Sequence, residues 1–168
     1  MPASPLGPLR AAAAAMESVI EGIGPAQWSA PTPCPAWTVA DLTDHVVAGN
    51  RRFASAVAGE PALVDELYEA FAAAGALDRV VSVPFGRVPG AVAVHLRVVE
   101  LVVHGWDLAR ATDPRIVVPD DVVRAELEFT RQALPRVPAD RLPFGRPQPA
   151  WEAAGALDEL VALLGRTV

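Results

Sequence analysis

The chain has no lysine; all fourteen of its basic residues are arginine. That removes the P-loop lysine and Schiff-base chemistry from consideration. Cysteine is nearly absent too. A single Cys34 excludes an intramolecular disulfide and any cysteine-rich zinc site. Aromatic residues make up only 6 % of the sequence, little material for stacking on bases. The net charge of −6 opposes a phosphate backbone, so no nucleic-acid partner is expected. No uninterrupted apolar run reaches the roughly 18 residues of a membrane span. The start, MPASPLGPLR, shows no positive segment followed by an apolar one, so no signal peptide is expected. These absences point to the reduced cytoplasm, with no membrane partner.

What remains is a chain of 168 residues, 52 % hydrophobic and 20 % charged. That is enough to bury a core within one domain spanning residues 1–168. The chain is organised around Gly90 to Thr112, GAVAVHLRVVELVVHGWDLARAT. As a helix it would be about 34 Å long. Val94, Val98, Leu101, Val102, Trp106 and Leu108 spread over nearly all its faces, which marks a core helix. Arg97, Glu100, His104, Asp107 and Arg110 interrupt it too often for a span.

Those interruptions carry the chemistry. Glu100 and His104 lie about 40° apart on one face, and Asp107 falls about 20° from Glu100. An unpaired carboxylate among valines and leucines must be protonated, paired or metal-bound. E-x-x-x-H is a usable pair of metal ligands; a plain Glu–His hydrogen bond in a satisfied core is the alternative. His95 is about 180° from His104, so it is no third ligand from that face. Trp106 reads as core packing.

Upstream, Leu9, Ala12, Ala13, Met16, Val19, Ile20 and Ile23 recur at helical spacing, ended by Gly24-Pro25. Pro31, Pro33 and Pro35 stiffen the loop from Gln27 to Trp37. Thr38 and Asp41 read as a capping-box-like start for a helix from Val39 to about Ala58. Its apolar stripe, Leu42, Val46, Gly49 and Phe53, also carries His45. Gly49, one turn on, suggests a small cavity beside His45, at a propensity cost of about 1 kcal/mol. Val64 to Ala74 reads as a short helix with Leu67, Phe71 and Ala74 inward and Gly75 as its cap. Arg79 to Arg87 is a short extended piece limited by Pro84 and Gly86. A further helix runs from Pro119-Asp120-Asp121 to about Leu134, with acidic charge in its first turn. The proline-rich segment after it is expected to pack over the bundle by burying Phe144 and Trp151. A short helix, Leu157 to Gly165, follows. The sum is an all-α four-helix bundle with short extra helices.

Three stretches together resemble one family: TPCPAWTVADLTDHVVAGNRRFA, VPGAVAVHLRVVELVVHGWDLARAT, and PFGRP with LDELVALLGR. They are similar to the mycothiol-dependent maleylpyruvate isomerase metal-binding-domain family, a branch of the DinB-like four-helix bundles of high-GC bacteria. The pairing of W-T-V-x-D-L-x-x-H with E-L-x-x-H-G-W-D-L-A-R is what makes the resemblance specific. In that family a His on the second helix joins a Glu and a His, four apart, on the third to hold a divalent metal. Carried over, these are His45, Glu100 and His104.

The resemblance implies a catalytic type of site. Three protein ligands leave open coordination positions. Two histidines and a glutamate suit zinc first, and nickel or iron(II) also. The implied chemistry is mycothiol-dependent isomerisation or S-transfer, in which a metal-bound thiolate attacks a small electrophile. The alternatives are a non-catalytic metal-binding or regulatory bundle, and a metal-free interaction module such as a homodimer. No residue is assigned to thiol binding, and the segment from Gly59 to Leu77 is short for the family. Asp107 is the candidate to orient a ligand histidine, against a plain salt bridge with Arg110 or Arg51. Cys34 reads as a small buried hydrophobe before a redox thiol. Arg51 and Arg52 read as a solvated pair.

Overall fold

A computed structural model of the chain describes residues 4–59, 66–84, 86–138 and 142–168. Among the described residues the fold is mostly helical, with one small antiparallel hairpin. It divides into two compact units, one ending at Ile116 and the other spanning Val117–Val168. No helix among the described residues is long and apolar enough to cross a membrane.

The first unit holds α1 (Leu6–Glu21), α2 (Val39–Ala58), α3 (Leu67–Ala72), β1 (Val80–Val83), β2 (Gly86–Pro89) and α4 (Gly90–Ala111). The central helix forms as its sequence predicts, and every residue from Arg97 to Leu108 is buried. It packs on α1 and α2. Leu9, Ala12, Met16 and Val19 bury the inward stripe of α1. Gly105 lets α4 approach its surroundings closely, since a Cβ there would lie 2.4 Å from Ile116 Cδ1.

α2 starts as a capping box. The Asp41 backbone N–H donates to Thr38 Oγ1 at 3.3 Å, and the Thr38 N–H donates to Asp41 Oδ2 at 2.9 Å. Asp41 replaces the usual Glu at little geometric cost, because the Thr38 hydroxyl also donates to it at 2.6 Å. The Thr38 hydroxyl and then its backbone N–H hold the Asp41 carboxyl below its ordinary range. A depressed carboxylate contributes stability above its unfolded pKa and loses it as pH falls through the folded value. Thr38→Ala is therefore expected to cost about 1 kcal/mol near neutrality. It should also flatten the acid-side loss of stability, a difference that urea unfolding at neutral and acidic pH measures. Equal acid sensitivity in both proteins would dismiss the cap as its source.

α4 begins differently, on main-chain carbonyls. The Gly90 N–H donates to Arg79 O at 2.8 Å, and the Ala91 N–H donates to Leu77 O at 2.9 Å. Two donors that a helix start leaves orphaned are thus satisfied by the preceding turn. The approach needs glycine, because a Cβ at residue 90 would sit 2.0 Å from Ala76 O. The extended piece foreseen over residues 79–87 is one arm and part of the other of a hairpin, with Val80 opposite Pro89 and Val83 opposite Gly86. Gly86 at φ +131° makes the reversal possible.

Two expectations for α3 change. Leu67 and Phe71 are buried, but Ala74 is exposed, because the helix has already ended at Ala72 and its C-cap is Ala73. Gly75, at φ +73°, serves the turn that follows. The start expected at Val64 lies outside the described residues.

The second unit contains α5 (Asp120–Ala133) and α6 (Ala156–Leu163). Val122, Val123, Leu127 and Thr130 form the buried face of α5, with Glu126 fully buried among them. Arg131 on α5 pairs with Glu159 on α6. The PFGRP segment meets the end of α6: Gly145 lies against Gly165, and Arg166 stands over the Phe144 ring at 5.5 Å. Trp151 does not bury as expected; it is 56 % exposed, on a stretch tied back to α6 by the Gln148 N–H donating to Ala162 O.

Candidate metal centre

Three segments of the first unit converge: the proline-stiffened loop, α2 and α4. The loop is closed by its own polar groups. Pro31 and Thr38 form a bridge, and the Thr32 hydroxyl donates to Trp37 O at 2.9 Å. The Cys34 N–H donates back to Thr32 Oγ1 at 3.1 Å, and the Trp37 N–H to Cys34 O at 2.9 Å. This small closed turn presents Cys34 and Trp37 toward the helices. Trp37 stacks on His45 with ring centroids 4.4 Å apart.

His45 and His104 come together across α2 and α4. Their ring centroids are 5.2 Å apart in an edge-on arrangement. Burial pushes His45 down, the neighbouring His104 adds to that, and Glu100 pulls the other way. His45 is thus neutral at neutral pH and keeps a lone pair for a ligand. His104 is 5 % exposed. Its Nδ1 lies 3.1 Å from Asp107 Oδ2, one helical turn on. Asp107 is fully buried, and the same oxygen accepts from the Cys34 thiol at 3.3 Å. Arg110, one of the salt-bridge partners considered for Asp107, is exposed and lies over the Trp106 ring at 5.4 Å.

Glu100, 8 % exposed, is engaged by Arg97 on the preceding turn of α4. Arg97 is fully buried, and α2 supplies its other partners. Its Nε–H donates to Asn50 Oδ1 and its Nη2–H to Val46 O, each at 2.9 Å. Its guanidinium also stands over the Phe53 ring at 5.6 Å. This arrangement corrects the meaning of Gly49. The space left by the missing side chain is taken by Arg97. A Cβ at residue 49 would lie 2.4 Å from Arg97 Nη1, so glycine makes room for the guanidinium. A cavity of about 320 Å³ does open elsewhere in this unit, lined by Arg10, Glu17, Asn50, Leu67 and Tyr68 among others.

Cys34 is the metal-capable side chain that the sequence undervalued. It is half-buried, and its Sγ, an Asp107 carboxylate oxygen and a His104 ring nitrogen all lie within 4.8 Å of one another. Among the described residues this is the grouping of three metal-capable side chains with mutually adjacent donor atoms. The available signal was Thr32 two residues ahead of Cys34, a spacing that favours a hydroxyl-closed turn.

The chain matches the family model described as the mycothiol maleylpyruvate isomerase N-terminal domain over residues 9–66. That match takes in Cys34, Trp37 and His45 and stops short of α4. Two proteins from strains of Mycobacterium tuberculosis, both described as uncharacterized, are each 32 % identical to it over 169 aligned positions. The alignments cover 92 % of this chain and 93 % of each relative. No solved structure matches.

Proposed function

Since the chain belongs to the mycothiol maleylpyruvate isomerase N-terminal domain family, we propose that it is a DinB-like divalent-metal-binding protein with His45, Glu100 and His104 as ligands. The observation that carries this is the meeting of His45 and His104, from two different helices, at 5.2 Å between ring centroids. Two imidazoles and a carboxylate suit zinc, and nickel or iron(II) as well. Asp107 fixes the orientation of the His104 ring through Nδ1, the usual partnership behind a ligand histidine. Arg97 fixes the Glu100 carboxylate in the same way. Trp37, stacked on His45, limits how that ring can turn.

Held by His45, Glu100 and His104, a divalent ion would lower the pKa of a bound thiol and favour the nucleophilic thiolate. The proposed reaction class is isomerisation or S-transfer between mycothiol, or another low-molecular-weight thiol, and a small electrophile in the cytoplasm. The second reading is a non-catalytic metal-binding or regulatory protein. It draws on the burial of Glu100 and His104, which leaves little surface for a substrate.

The test is elemental mass spectrometry on protein purified without a metal-affinity tag. Wild type is expected to carry about one equivalent of zinc, nickel or iron, as a three-ligand centre should. The His45→Ala/His104→Ala double variant is expected to carry none. Wild type that stays metal-free after divalent ions are supplied would end the proposal. If metal is present, a thiol that perturbs the spectrum of the cobalt-substituted protein supports the catalytic form, and one that does not supports the regulatory form.

A further inference from the structure

The centre contains a sulfur that the His45–Glu100–His104 set leaves unused. Cys34 Sγ lies 3.3 Å from Asp107 Oδ2, and His104 Nδ1 lies 3.1 Å from the same oxygen. Sulfur, a carboxylate oxygen and a His104 ring nitrogen all lie within 4.8 Å of one another, so Asp107 holds the thiol beside the imidazole. Cys34 comes from the loop and the other two from α4, and those two side chains are buried. The loop does not leave Cys34 free to wander. Thr32 holds it by the bond to its N–H, and prolines flank it on both sides.

We infer that Cys34 is a metal ligand, its Sγ coordinating the ion that His104 binds. This rests on the metal-binding proposal above and extends it from a nitrogen–oxygen centre to one containing sulfur. Asp107, in contact with both groups, gathers the thiol and the imidazole on one side of the centre before an ion enters. On coordination the sulfur–hydrogen bond is exchanged for a sulfur–metal bond, and the thiol proton passes to solvent. A thiolate in the shell favours zinc and other softer ions over magnesium, calcium or manganese. It also places a protein sulfur where an incoming small thiol would compete for the ion.

Cobalt(II) substitution of the full-length protein tests this. Wild type is expected to show a sulfur-to-cobalt charge-transfer band in the near ultraviolet beside the visible ligand-field bands. In Cys34→Ser the charge-transfer band should vanish while the ligand-field bands persist. Loss of all cobalt binding in a Cys34→Ser protein that still melts cooperatively would also support ligation. Ligand-field bands without the sulfur band in wild type would overturn the Cys34 assignment and leave the metal-binding proposal standing. Failure of wild type to bind cobalt at all would overturn both. Should Cys34→Ser fail to fold, X-ray absorption on zinc-loaded wild type decides: a sulfur neighbour at about 2.3 Å supports the assignment, and a shell of nitrogen and oxygen alone refutes it.

Discussion

Arg97→Ala is expected to destabilise the protein by about 3–5 kcal/mol, the usual consequence of removing one partner from a buried ion pair. Arg97 is fully buried, so none of its interactions is shared with bulk water. Its loss strands the Glu100 carboxylate and leaves Val46 O and Asn50 Oδ1 without the donor they now have. The cost is dominated by the groups left behind rather than by the attraction removed. At this chain length each kcal/mol corresponds to about 2–4 °C in melting temperature, so the effect is visible in a simple thermal scan. Arg97→Met/Glu100→Gln, which removes both charges, should recover part of the loss. An Arg97→Ala protein within about 1 kcal/mol of wild type would show that water replaces the guanidinium freely.

The second large effect is Gly49→Ala. Helix propensity alone favours alanine here by about 1 kcal/mol. The structure predicts the opposite sign. The new Cβ would fall 2.4 Å from Arg97 Nη1 and 3.0 Å from Cζ. A flexible side-chain end could yield, but this one is held by Glu100, Asn50 and Val46 O together. A net loss of about 1–3 kcal/mol is expected, as for overpacking elsewhere in protein cores. The decisive comparison is a double-mutant cycle by urea unfolding. In an Arg97→Met background, Gly49→Ala should become neutral or favourable. The same penalty in both backgrounds would mean that something other than the guanidinium occupies the space.

Gly49 also shows where sequence reasoning reached its limit. Periodicity placed it on the inward stripe of α2, and that was right. It could not say what stood opposite, because Arg97 lies 48 residues further along and comes from another helix. The helices were legible because each carries its own signal: an apolar stripe, a Thr38–Asp41 cap, or a proline boundary. Asp107 was legible as a neighbour of His104 because both sit on one helix, three residues apart. The Cys34–Asp107 contact spans 73 residues of sequence and joins a loop to a helix. No local pattern encodes such a pairing, so a half-buried thiol beside a carboxylate was read as an ordinary small hydrophobe. The main-chain cap on α4 was hidden for a similar reason, since Leu77 and Arg79 take part through their carbonyls and not through their side chains.

The guanidinium of Arg97 has one more consequence, for how the chain reaches its native arrangement. Its three hydrogen-bonding and ionic partners are divided: Glu100 travels with it on α4, while Asn50 and Val46 arrive on α2. If α2 docks one turn out of step, the carbonyl and the amide miss the guanidinium, and a side chain takes the place of Gly49 against it. A misdocked chain therefore buries a half-satisfied charge, while the correct alignment satisfies it fully. The greasy faces of α2 and α4 could slide past one another at modest cost, and this single cation makes sliding expensive. It acts as a check on registry during assembly, biasing the two helices that carry His45 and His104 toward the one alignment in which those rings meet.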